Sequence, residues 1–169
     1  MNQFKYLWKR KEANFGSPID TEVSGGTHVT CENVLKFNGK YVALRRPKAI
    51  PEHEIPEKAL KSGKPYLYFV HGLPRWGETT EVYVNRVVKE QTGVGVKSFK
   101  VVDLYMGVYP DTKQWFIEPD LIVEINRLPV LGIYGNEVTE VVVFDIENIP
   151  DDFGWWDSKD LENFLKKYD

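Results

Sequence analysis

The sequence predicts an α+β fold: a mixed β-sheet sandwiched between flanking helices. Three observations predict it. Asn38-Gly39 joins two apolar stretches, and this dipeptide is a strong hairpin signal because both central residues of a type I′ turn need positive φ. A helical stretch that begins after Thr79 lies between the glycine turns at Gly77 and Gly93 and follows an aromatic strand. Further strand-like stretches then lead to an amphipathic C-terminal helix. Strands placed before, between and after helices build a sheet with both faces covered.

The elements follow in order. Residues 1–26 mix aromatics, charges and glycines and read as an N-terminal arm, with one strand around Phe4 to Trp8. Residues 27–169 read as a single domain. Thr27 to Phe37 alternates loosely, and Lys40 to Arg46 is the returning strand. Pro47 ends it, since proline cannot donate to the ladder. Lys48 to Pro65 holds three prolines and a glycine and reads as an excursion, with a short helix at Glu54 to Lys61. Tyr66 to Val70 is the aromatic strand. Thr79 is the N-cap of the next helix, Glu81 lies in its acidic first turn, and Gly93 is its C-cap. Val84 and Val88, four apart, face the sheet. Strands follow at Ser98 to Met106, Leu121 to Asn126 and Val138 to Asp145, with a turn at Tyr109 to Thr112 and a loop at Pro129 to Gly135. Leu161, Phe164 and Leu165 recur at helical spacing and predict a last helix from Ser158 to Tyr168.

Bulk composition narrows the function classes. A chain of 169 residues is long enough for one domain with a real core. Its 42% hydrophobic and 14% aromatic content argues against disorder. No apolar run approaches the roughly 18 residues of a membrane span, and the N-terminus has no apolar stretch of the secretory-signal kind. The lone Cys31 excludes an internal disulfide and fits a reducing compartment, so a cytoplasmic location is expected. A net charge of -3, with acids and bases interspersed, gives no footprint for nucleic acid. His28, His53 and His71 are too far apart in sequence for a zinc motif with each other or with Cys31.

The most informative segment is Gly72 to Val94, GLPRWGETTEVYVNRVVKEQTGV. Gly72 is followed after five residues by Glu78, after seven more by Arg86, after three by Glu90 and after two by Gly93. This resembles the Nudix box, G-x5-E-x7-R-E-U-x-E-E-x-G-U with U aliphatic. Val87 and Gln91 stand where the box has glutamates. Three further stretches resemble the family in order: GTHVTCENVLKFNGKYVALRRP its opening hairpin, YLYFVHGLPRWGET its strand-to-loop entry, and EVTEVVVFDIENIPDD its late strand. The resemblance implies a Nudix-like α/β/α sandwich.

It also implies a chemistry. Nudix proteins typically hydrolyse a diphosphate linked to another moiety, usually a nucleoside, with Mg2+ or Mn2+ held by glutamates of the box helix. Divalent metals offset charge on the leaving oxygens and supply a hydroxide. Of the box ligand positions, Glu90 keeps its carboxylate and is the candidate catalytic and metal-binding residue; Gln91 offers a neutral oxygen, and Val87 none. His71 occupies the family's first glycine position, where its backbone carbonyl is a metal-ligand candidate. Glu118, Asp120, Glu124 and Glu140 are candidate replacement acids, Glu124 among the metal ligands. The resemblance gives Glu78 and Arg86 a structural pairing, with Gly72 and Gly77 shaping the loop. Arg45 and Arg46, with Lys48 beside them, are candidate phosphate contacts. Tyr83, where the family has alanine, either stacks on a base or fills space left by absent metals. Trp155 and Trp156 line a base pocket or a dimer contact, or pack the final helix.

Two readings therefore stand. One is a phosphohydrolase cleaving a nucleoside diphosphate-linked compound, with a partly degenerate metal site. The other is a catalytically inactive Nudix domain that binds a nucleotide or a protein partner. Family members are often dimers, so a homodimer belongs with either.

Overall fold

The computed structural model describes residues 27–46, 57–63, 65–75, 77–108, 115–132 and 138–168. The Phe4 to Trp8 strand, the Tyr109 to Thr112 turn and Lys48 lie outside these residues. The order is β1 (Thr27–Val29), β2 (Cys31–Phe37), β3 (Lys40–Arg45), α1 (Glu57–Ser62), β4 (Leu67–Tyr68), β5 (Val70–Gly72), α2 (Thr80–Thr92), β6 (Val96–Val108), β7 (Trp115–Ile125), β8 (Glu140–Phe144), a short 3-10 turn (Ile146–Asn148) and α3 (Ser158–Tyr168).

All eight strands join one mixed sheet. β2 and β3 form the predicted hairpin, and Asn38 (φ 50°) and Gly39 (φ 80°) both take the positive φ that its turn demands. β7 is the hub of the other half. It runs parallel to β1 and β2 and antiparallel to β6. β5 pairs with the first half of β2, while β4 and β8 pair with β3.

Alternation along the strands sorts the core into two layers. Leu35, Val42, Leu44, Val70, Leu121, Val123 and Ile125 pack on one face of the sheet against Tyr83, Val84, Val87 and Val88 of α2. Val34, Ala43, Leu67 and Phe69 pack on the other face with Phe153 and with Leu161 and Leu165 of α3. The sheet thus separates α2 from α3, as the α/β/α expectation requires.

Several strand limits differ from the sequence reading. The Thr27 to Phe37 stretch breaks at Thr30, whose amide donates to the Ile117 carbonyl at 3.1 Å. The aromatic strand splits at Phe69 into β4 and β5, which pair with different partners. β6 and β7 are longer than predicted, and β8 begins at Glu140 rather than Val138.

Candidate functional site

The box segment folds as loop, helix, loop. The Thr79 hydroxyl caps α2 by accepting from the Val82 amide at 3.3 Å. Gly93 (φ 71°) closes it, its amide donating to the Lys89 carbonyl at 2.9 Å. Gly72 ends β5 where α2 crosses it, and a Cβ there would stand 2.9 Å from Val87 Cγ2. Only a residue without a side chain lets strand and helix approach this closely.

Glu78 and Arg86 lock the loop to the helix. The Arg86 guanidinium donates to both carboxylate oxygens of Glu78 and to the Leu73 carbonyl at 3.1 Å. The Arg75 amide adds a 2.6 Å bond to the same carboxylate. Arg86's hydrogen bonds outweigh burial and hold the Glu78 carboxyl well below the usual range, at about 2. These contacts organise the loop and leave Glu78 no open oxygen pair for a ligand.

The face of α2 turned toward β5 is filled. Tyr83 is 2% exposed, and its hydroxyl donates to the Gly72 carbonyl and accepts from Asn33 Nδ2, both at 3.0 Å. Burial pushes the Tyr83 phenol up, so it stays neutral. Val87, also 2% exposed, packs beside it. Tyr83 therefore fills space and binds backbone rather than presenting a ring for stacking.

Gln91 and Glu90 are committed to other partners. Gln91 Nε2 donates to the His71 carbonyl at 2.6 Å, and Gln91 Oε1 accepts from Arg46 Nη1 at 3.1 Å. An amide group thus occupies the backbone oxygen that the sequence offers to a metal. The Glu90 side chain is 48% exposed and bridges Arg75 Nη2 at 3.1 Å and Arg86 Nη1 at 2.9 Å. Magnesium and manganese need several hard oxygen ligands gathered on one side of the ion. Glu90 is the sole carboxylate at the helix's three ligand positions, and two arginines neutralise it. The residues present do not fit the metal pair that the box resemblance implies.

Other predicted residues are dispersed. Glu124 lies at the hairpin end of β7, opposite Lys36, and accepts from the Asn38 amide at 3.3 Å. It is four residues along the strand from Asp120, roughly 13 Å away at the usual strand rise. It does not join the box helix. Arg45 is 8% exposed and committed to Glu140, to Asp152 at 2.6 Å and to the Pro65 carbonyl. It staples β3 to β8 and to the segment before α3 instead of facing phosphate, and Glu140 is used in the same staple. Arg46 lies 5.6 Å from the Tyr68 ring centre, besides its contact with Gln91. Trp156 packs on Phe164 of α3.

A second cluster forms on the opposite face of the sheet. The His71 side chain leaves β5 there, with Nδ1 3.1 Å from Glu32 Oε2 and Nε2 2.8 Å from Thr30 Oγ1. The Trp155 ring centre is 4.8 Å from that of His71. Glu118 joins them, and one donor atom from each of Glu32, His71 and Glu118 lies within 4.8 Å of the others. Asp120 is the cross-strand partner of Glu32 and is 7% exposed. Burial, then Glu118 and Glu32, push its carboxyl up to about 7. Burial raises Glu118 as well, Glu32 adding to this and His71 opposing it. The sequence marks Glu118 and Asp120 only as possible replacement acids and does not single out Glu32. The signal was its place in CENVLKF, an acid in a stretch otherwise suited to a buried strand.

No protein-family model matches the sequence, and no curated protein matches it. Solved structures do match. The chain is similar to a pyrophosphohydrolase of Bacillus subtilis, at 19% identity and a TM-score of 0.58, over 91% of this chain and 86% of that one. It is similar to the MutT NUDIX hydrolase of Burkholderia pseudomallei, at 15% identity and a TM-score of 0.56, over 73% and 87%. A NUDIX hydrolase of Nitrosomonas europaea matches at 16% identity and a TM-score of 0.54, over 83% and 70%. Identities this low establish the fold and not the activity. The chain has the Nudix fold.

Proposed function

We propose that this protein is a Nudix-fold domain that binds a nucleotide-type diphosphate compound and does not hydrolyse it at the box helix. One observation carries the reading: the ligand positions of the helix hold a packed valine, a glutamine bonded to the His71 carbonyl, and a glutamate paired with two arginines. A diphosphate hydrolase must stabilise charge developing on its leaving oxygens, and a lone neutralised carboxylate supplies little of that. The fold and the box resemblance support the ligand class. The intact scaffold favours retained binding, since Glu78, Arg86, Gly72 and Gly93 still shape the loop.

Equilibrium dialysis against a panel of nucleoside diphosphate compounds with Mn2+, followed by phosphorus NMR of the recovered ligand, tests this. The expected result is saturable retention of at least one compound, recovered intact after many binding lifetimes. Cleaved ligand produced in proportion to protein would overturn the non-hydrolytic reading. Retention of no compound would overturn the binding reading.

A further inference from the structure

We propose that Glu32, His71 and Glu118, with Asp120 beside them, form a site for a divalent first-row transition-metal cation on the face of the sheet opposite the box helix. None of the box positions contributes a side chain from the helix to it. The inference goes beyond the proposed function, because it concerns the cation alone.

The spacing suits a metal. Ligands bound at right angles, each about 2.0–2.2 Å from the ion, stand about 3 Å apart. His71 Nδ1 and Glu32 Oε2 stand 3.1 Å apart. The third ligand atom, from Glu118, lies within 4.8 Å of both. Thr30 completes the arrangement from behind. Its Oγ1, 2.8 Å from Nε2, can accept the ring's other proton and leave the Nδ1 lone pair directed at the ion.

Asp120 supplies an independent reason. The residue is 7% exposed, it is the register partner of Glu32, and it has no hydrogen-bond or ion-pair partner among the described residues. A carboxylate held beside others at so covered a position is costly unless a cation offsets the charge. By strand alternation it shares the sheet face of Glu118, two residues earlier. Two acids and one imidazole converging in a largely buried place, with a third acid next to them on the same sheet face, call for a positive occupant. A donor set of one imidazole nitrogen and carboxylate oxygens suits manganese, zinc and their neighbours, whereas magnesium takes oxygen alone.

The test titrates metal-free protein with MnCl2 or ZnCl2, followed by calorimetry and tryptophan fluorescence. One saturable site is expected, with Mn2+ quenching a signal lost in Trp155→Phe. Glu118→Gln and Asp120→Asn keep the side-chain shape and should each weaken binding at least tenfold. Thr30→Val should weaken it about tenfold, and Mg2+ should bind at least tenfold more weakly than Mn2+. Unchanged thermal unfolding of the metal-free variants separates lost ligation from lost fold. Absence of a saturable site would overturn the proposal. So would binding that survives Glu118→Gln and Asp120→Asn but is lost in Glu90→Gln, and so would displacement of the metal by a small guanidinium or amine probe at equal concentration.

Discussion

A single missing methyl group governs how closely the box helix meets the sheet. Gly72 and Val87 Cγ2 are so placed that alanine at 72 would force the helix outward. Gly72→Ala should therefore destabilise the fold, and Val87→Ala alone should cost about 2 kcal/mol through its cavity. The double variant should lose less than the two effects together, by about 1 kcal/mol, because the shortened valine makes room for the new methyl. A double-mutant cycle in urea checks this, and strict additivity would contradict the contact. Glu78 gives a second residue-scale prediction. Its folded pKa, about 2, lies below the unfolded value of roughly 4.3, so its contribution is full above that value. The contribution fades as pH falls from there toward 2. The stability gap between the parent and Glu78→Gln should accordingly shrink over that window, as read by denaturation at stepped pH. Residue roles were only partly legible in the sequence. The pairing of Glu78 with Arg86 is legible through the box resemblance. Arg45 at a strand end reads the same whether it faces phosphate or, as here, Glu140 and Asp152, because its partners lie 95 and 107 residues away.

Elements with local signals were easier to read than elements defined by their partners. α2 carries its own punctuation, a threonine cap and a glycine stop. Replacing Thr79 with alanine should cost about 1 kcal/mol, measured by chemical denaturation, because the Val82 amide loses its acceptor. No change would mean that water replaces the cap without loss. The long β6–β7 ribbon was harder. A register shift between Val101 and Asp103 interrupts the alternation of β6, so its residues do not keep one period. Pro119 interrupts the pattern of β7 and makes a strand look as if it starts at Leu121. In the fold it sits between the stretch paired with β1 and the stretch paired with β2, where a missing donor is tolerated. The sheet-face cluster was illegible for a related reason. It depends on β2, β5 and β7 lying side by side, which no local pattern announces.

At the scale of the molecule, two apolar layers hold one sheet, and each layer bears on a different question. The α3 layer supports the face that carries His71 and its acids. Leu161 and Leu165 are fully buried there, and Leu161→Ala should cost about 2–5 kcal/mol in denaturant. A much smaller loss would mean that α3 is not a working part of the core. The α2 layer bears on the reaction, because it packs Val87, which stands where the box pattern has a glutamate, into the core beside Tyr83. The most direct measurement compares initial rates of phosphate release from nucleoside diphosphate compounds, with Mn2+, by the parent protein and by Glu90→Gln. The same background rate is expected for both. Turnover by the parent that the glutamine abolishes would contradict that expectation.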